Sequence, residues 1–128
     1  MVELDIKYSD DGQSIEIIGQ GVVKSKDILN AVRQIYYNPK TRDVQFQMTD
    51  FTNVTSFEYD QADDKGVTVM DALAAKKFPN MRIAVVAPDD DFFELTQPWK
   101  TELNKTSAKA DVFRDRPSAE QWLFNSEE

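Results

Sequence analysis

Val2, Leu4 and Ile6 alternate with Glu3, Asp5 and Lys7, the two-residue period of a strand with one face in water. Asp10-Asp11-Gly12 supplies turn chemistry, and Ile15, Ile17 and Ile18 open a second strand, so the first two segments read as an antiparallel pair. Ser25 stands where an N-cap is expected, ahead of Ile28, Leu29, Val32, Ile35 and Tyr36 at helical spacing. Asn38-Pro39 ends that helix, because proline disfavours helical backbone in the residue before it. Val44, Phe46 and Met48 alternate again, and Asp50 closes this third strand. The segment from Phe51 to Tyr59 has no clear period and reads as a loop.

From Asp60 onward, Val67, Met70, Ala74 and Phe78 fit one stripe of a helix that stops before Pro79. Gly66 weakens that pattern, since glycine costs about 1 kcal/mol against alanine inside a helix. Ile83 to Ala87 is the candidate for a central strand buried on both faces. Phe92, Leu95, Trp99 and Leu103 mark another helical stripe, which Pro98 kinks or splits into two short helices. Ala110, Val112 and Phe113 make a short last strand. Asp115 and Pro117 open a final helix carrying Ala119, Trp122 and Leu123, and Ser126 to Glu128 are expected to fray. Strands alternating with helices predict an α/β fold in one domain spanning residues 1–128. Its sheet, of about five strands, is mostly parallel with an antiparallel N-terminal strand, and about four helices cover it.

Composition narrows the chemistry. Among 128 residues there is no cysteine and no histidine, which removes disulfides, thiolate nucleophiles, imidazole bases and ordinary zinc sites. The net charge of −8 disfavours nucleic acid and anionic membrane surfaces, both of which need a basic footprint. The longest apolar run, Ile83 to Ala87, is far short of the roughly 20 residues that span a bilayer. The N-terminus has neither the basic start nor the apolar core of a signal peptide, so a cytoplasmic protein without stable membrane insertion is expected. A homo-oligomer is compatible with this composition.

Several motifs invite chemical readings, each set against a plainer one. Gly19-Gln20-Gly21-Val22-Val23-Lys24 has two glycines of a dinucleotide fingerprint but a lysine where the third belongs; it reads better as a strand kinking before the first helix. Asp89, Asp90 and Asp91 could hold a hard cation through oxygen ligands, yet they sit where a helix begins and can cap it, so no metal is expected. Asp50, Glu58, Asp60, Asp63, Asp64 and Asp71 face one base, Lys65; a solvated acidic face is the default over a catalytic carboxylate pair. Phe92-Phe93, Trp99 and Tyr36-Tyr37 could line an apolar pocket, although aromatics at this spacing are usually core. Neither a Gly-x-Ser-x-Gly elbow nor a Ser-x-x-Lys pair occurs, so no catalytic residue, cofactor or enzyme activity is expected.

The run Asp50-Phe51-Thr52-Asn53-Val54-Thr55-Ser56-Phe57-Glu58 resembles the strand–loop–helix signature of the STAS-like (SpoIIAA-like) superfamily of bacterial anti-anti-sigma factors. Asp50, Phe51, Thr52, Val54, Phe57 and Glu58 match that signature position by position. Tyr59, Asp60 and Gln61 stand where the family has its phosphorylatable serine and the following glycine, so the resemblance implies a module without the serine phospho-switch. Gly21-Val22-Val23, the Ile83–Ala87 segment, Asp111-Val112-Phe113-Arg114-Asp115 and Ala119-Glu120-Gln121-Trp122-Leu123 are similar to a group of bacterial STAS-like, CRAL-TRIO-related proteins without an established activity.

Two functions follow from these resemblances. The STAS-like one implies a regulatory module that binds another protein through Thr52, Thr55, Ser56 and Asp60, at the start of the second helix. The CRAL-TRIO-related one implies a carrier of a small apolar ligand or lipid, held near Phe92, Phe93 and Trp99.

Overall fold

A computed structural model describes residues 4–38, 41 and 44–125. Val2, Glu3, Pro39 and Ser126 to Glu128, on which parts of the sequence reading fall, lie outside the described residues. In chain order the elements are β1 (Leu4–Tyr8), β2 (Ser14–Lys24), α1 (Ser25–Tyr37), β3 (Phe46–Glu58), α2 (Gln61–Lys77), β4 (Arg82–Val86), α3 (Asp90–Leu95), α4 (Gln97–Leu103), β5 (Lys109–Phe113) and α5 (Arg116–Asn125). The sheet runs β1-β2-β3-β4-β5, with β1 antiparallel to β2 and every later pair parallel. Parallel neighbours joined in this order by right-handed crossovers put α1, α2 and the α3–α4 pair on one face. α5, which follows the last strand, covers the other.

The cores follow from this layering. Ile15, Ile17, Ile83, Val85, Ala110 and Val112 join Leu29, Val32, Ile35, Val67, Ala74, Trp99 and Leu103 in the larger cluster. Met48, Ala84 and Val86, one residue out of phase on the strands, meet Ala119 and Leu123 of α5 in a smaller one. β4 is therefore buried on both faces, as its unbroken apolar run predicts, although β3 and not β4 occupies the middle of the sheet. The helix stripe divides at Thr96 into α3 and α4, with Pro98 in the first turn of α4. α2 passes through Gly66 unbroken; a Cβ there would lie 3.2 Å from two methyl carbons of Leu29, so the glycine allows α1 and α2 to approach.

Three expectations need correction. The 51–58 segment is strand, and Asp50 lies within β3 and does not close it. Between Ile18↔Asp50 and Gln20↔Asn53, and again between Gly21↔Val54 and Val22↔Ser56, β3 carries an extra residue relative to β2. These bulges stretch the inward period to three, Phe51, Val54 and Phe57, which hides the strand from an alternation test. Gly21 takes a positive φ of 69° beside the second bulge, and Gly19 packs against the Phe51 ring, where a Cβ would sit 3.0 Å from it. Ser25 does not cap α1. It is the first helical residue, buried, and its Oγ accepts the Asp60 N–H at 2.9 Å, while Asp27 Oδ2 accepts the Lys24 N–H. The acids from Asp50 to Asp71 do not form a uniformly solvated face, because Asp50 and Asp71 are buried.

Asp71 projects from α2 into the helix-side core. Its Oδ1 accepts the Tyr36 hydroxyl of α1 at 2.6 Å and its Oδ2 accepts the Trp99 indole N–H of α4 at 2.9 Å. The Tyr36 oxygen in turn accepts Gln47 Nε2 of β3 at 3.1 Å. Burial raises the Asp71 pKa to about 6, against the opposing pull of the Tyr36 and Trp99 hydrogen bonds. The same burial, with the neighbouring Asp71, pushes the Tyr36 phenol well above its ordinary range.

Two outcomes follow for stability. Val85→Asp places an unpaired carboxylate on the buried face of β4, a cost of several kcal/mol against a total of about 5–15, so the variant should lack a cooperative thermal transition. Asp71 has a higher pKa folded than unfolded. Its contribution is therefore most favourable below about pH 4 and is lost as the pH rises through about 6, a change of about 3 kcal/mol. Asp71→Asn should remove that slope from urea-denaturation midpoints measured from about pH 4 to about pH 7; an unchanged slope would place the titration elsewhere.

Candidate functional site

β4 ends early and for a local reason. Its last pairing with β3 is Val86 with Asp50, Ala87 still donates to Phe113, and then Pro88, which has no N–H, breaks the ladder. Asp89 turns the chain into α3 by accepting the Phe92 N–H at 3.0 Å. β3, paired from that point with β2 alone among the described residues, runs on to Glu58. A groove of about 470 Å³ opens between the outer part of β3 and the start of α3.

One wall of the groove carries Thr52, Val54, Thr55 and Ser56, and the other carries Pro88, Asp89, Asp91 and Leu95. Three rings make its base. Phe92 stacks on Phe51 with centroids 4.8 Å apart and meets Phe57 at 4.6 Å, while Phe51 and Phe57 lie 6.2 Å apart. Thr55 and Ser56 are exposed, so the aromatic cluster is bordered by hydroxyls available to a partner.

The bulge that starts this wall is held by Asp50. Its Oδ1 accepts both the hydroxyl and the backbone N–H of Thr52, at 2.5 and 2.9 Å, and its Oδ2 accepts Arg116 Nη1 at 3.0 Å. Burial opposes ionisation of Asp50, but the Thr52 and Arg116 contacts outweigh it and hold its pKa below the ordinary carboxylate value. Arg116, at the start of α5, also pairs with Glu16 of β2 and with Glu120 one turn on, and these contacts raise its pKa further despite burial. The arginine thus fastens α5 to β2 and β3.

The structure brings Thr52, Thr55, Ser56 and Phe92 into one groove, and places the other candidates elsewhere. Asp60 caps α2, accepting the Asp63 N–H at 3.0 Å. Phe93 lies under the Arg114 guanidinium, 4.1 Å from its ring centroid. Trp99 lines, with Phe92 and Gln47, an interior space of about 60 Å³ between the helices and the sheet. Small-molecule sites generally offer about 300–1,000 Å³. The three aspartates diverge: Asp89 caps, Asp90 pairs with Arg114 and Asp91 borders the groove. Tyr37 is 78% exposed, whereas Tyr36 belongs to the Asp71 network.

Sequence reasoning missed that network and the Arg116 cluster. A signal for Asp71 was present, because Val67, Asp71, Ala74 and Phe78 share one helical stripe. No local signal links Asp50 to Arg116, which are 66 positions apart.

No family model matches the sequence, and no curated protein matches it significantly. Solved structures do. A protein of the DUF3478 family from Shewanella loihica PV-4, described as uncharacterised and as having a SpoIIAA-like fold, gives a TM-score of 0.54 at 16% identity, covering 94% of this chain and 91% of that one. The chain has a SpoIIAA-like fold. The anti-sigma factor antagonist SpoIIAA, in its unphosphorylated form, gives 0.52 at 9% identity over 90% of this chain and 91% of that one. Among the described residues, no helix is long and apolar enough to cross a membrane.

Arg116→Gln should cost about 1–3 kcal/mol near neutral pH, between the values for exposed and buried ion pairs, because Glu16, Asp50 and Glu120 then face one another uncompensated. The Thr52 and Arg116 contacts hold the Asp50 pKa below its ordinary value, so its share of the deficit should persist through the ordinary carboxylate range and narrow only below it, as Asp50 protonates. Urea denaturation at about pH 7 and about pH 2.5 measures both, and a deficit independent of pH would assign the loss to packing.

Proposed function

We propose that the chain is a non-enzymatic, regulatory protein-binding module whose partner docks in the groove between β3 and α3. The observation that carries this reading is the convergence of Thr52, Thr55 and Ser56 with the Phe51–Phe57–Phe92 base on an open surface. Aromatic rings bordered by adaptable polar groups suit protein recognition, where a few anchors supply most of the affinity. The SpoIIAA neighbour is an anti-sigma factor antagonist, which supports a role exerted on another protein. In this reading the serine phospho-switch is absent, and Asp60 serves folding as the α2 cap.

A photo-reactive amino acid at Ser56 should cross-link a partner protein in cells, whereas one at exposed Arg33 on α1 should not. The double variant Thr55→Arg, Ser56→Arg should fold normally and bind that partner at least about tenfold more weakly, since bulk and charge then fill the groove. Asp60→Asn should leave folding and binding unchanged, because asparagine caps nearly as well and the side chain lies outside the groove. Equal cross-linking at both positions would defeat the proposal. A bound lipid or other small apolar molecule, seen by native mass spectrometry of protein purified without detergent, would replace it with a carrier role.

A further inference from the structure

The outer part of β3 is an unfinished sheet edge. Residues 51–58 pair with β2 on one side, and among the described residues no strand pairs with them on the other. The groove occupies the place where a continued β4 would lie, because Pro88 and the Asp89 cap divert the chain into α3. Such an edge presents backbone N–H and C=O groups that a further strand can satisfy. Eight residues of strand span roughly 25 Å, enough for a short peptide segment.

Resting on the groove reading above, we propose that this edge receives an extended, basic segment of a partner protein by strand addition. The charge around the groove selects the occupant. Asp89 and Asp91 are its charged lining residues, and no lysine or arginine lines it. A second copy of this chain, with a net charge of −8, would bring the same acidic groove against itself, whereas a lysine- or arginine-bearing strand would neutralise it. The Phe51–Phe57–Phe92 base takes apolar side chains of the added strand, and its basic groups pair with Asp89 and Asp91 in the groove wall.

A random nonapeptide display library selected against the whole chain tests this. Selected peptides should be enriched in lysine or arginine together with apolar residues, and the best of them should slow amide exchange across residues 52–57. Methylating its backbone nitrogens one at a time should weaken binding about tenfold or more at every second position, because alternate N–H groups point to the neighbouring strand. Asp89→Asn with Asp91→Asn keeps the cap and should weaken binding about three- to tenfold while reducing its salt dependence. Peptides that bind without the two-residue methylation period, protection away from residues 52–57, selection of acidic peptides, or a dimer that buries this edge would each overturn strand addition. Failure of the groove reading is distinguishable, since Ser56 would then cross-link no partner. If a partner does cross-link there but methylating its bound segment has no periodic effect, the groove reading stands and strand addition falls.

Discussion

The helix layer depends on one buried carboxylate. Asp71 is buried, and its two oxygens take donors from α1 and α4, while Tyr36 passes the connection on to Gln47 in β3. A buried polar group without partners is costly, so the helices are held in the arrangement that satisfies both Asp71 oxygens together. The placement of α4 carries α3 with it, because Thr96 joins the two helices and its hydroxyl donates to the Phe93 carbonyl. Phe92 is thereby set against Phe51 and Phe57, and the groove acquires its base. The raised pKa of Asp71 is the cost of this anchor: a fully buried acid binds its proton more tightly in the folded chain than in the unfolded one.

The opposite face uses another solution. Its core is small, with Met48, Ala84 and Val86 under Ala119 and Leu123, so α5 relies on ion pairs in addition to packing. Arg116 spans β2, β3 and its own helix, and the Arg82 guanidinium lies 4.4 Å over the Trp122 ring while donating to the Trp122 carbonyl at 3.0 Å. Asp50 joins this face to the groove, one oxygen fixing the Thr52 bulge and the other holding Arg116. The bend in β3 and the docking of α5 are therefore mechanically connected.

A shared fold does not carry a shared activity, because function resides in the groups placed on it. Here the SpoIIAA-like sheet supports a groove whose chemistry is hydroxyl, aromatic and acidic, and the start of α2 is already occupied by its own aspartate cap. Without cysteine and histidine, the side-chain chemistry of the chain is that of hydroxyls, carboxylates, amides, amines, guanidinium groups, thioethers and rings.

Sequence alone determined what depends on near neighbours. The order of elements, the double burial of the Ile83–Ala87 run, the aspartate caps at Asp60 and Asp89 and the break just before Pro98 follow from side-chain period, capping and the missing proline N–H, all of which act within a few residues. The tertiary structure decided the rest. The 51–58 segment is a strand because β2 pairs with it, and its two bulges replace the expected period with one of three. Ser25 turns inward because Asp60, 35 positions away, needs an acceptor for its N–H. Thr52, Thr55 and Ser56 share a groove with Phe92 because β4 stops where Pro88 ends its ladder and, among the described residues, leaves the outer part of β3 without a strand on that side. These outcomes were invisible in the sequence for one physical reason: each is set by hydrogen bonds or packing between segments that become neighbours only when the sheet forms.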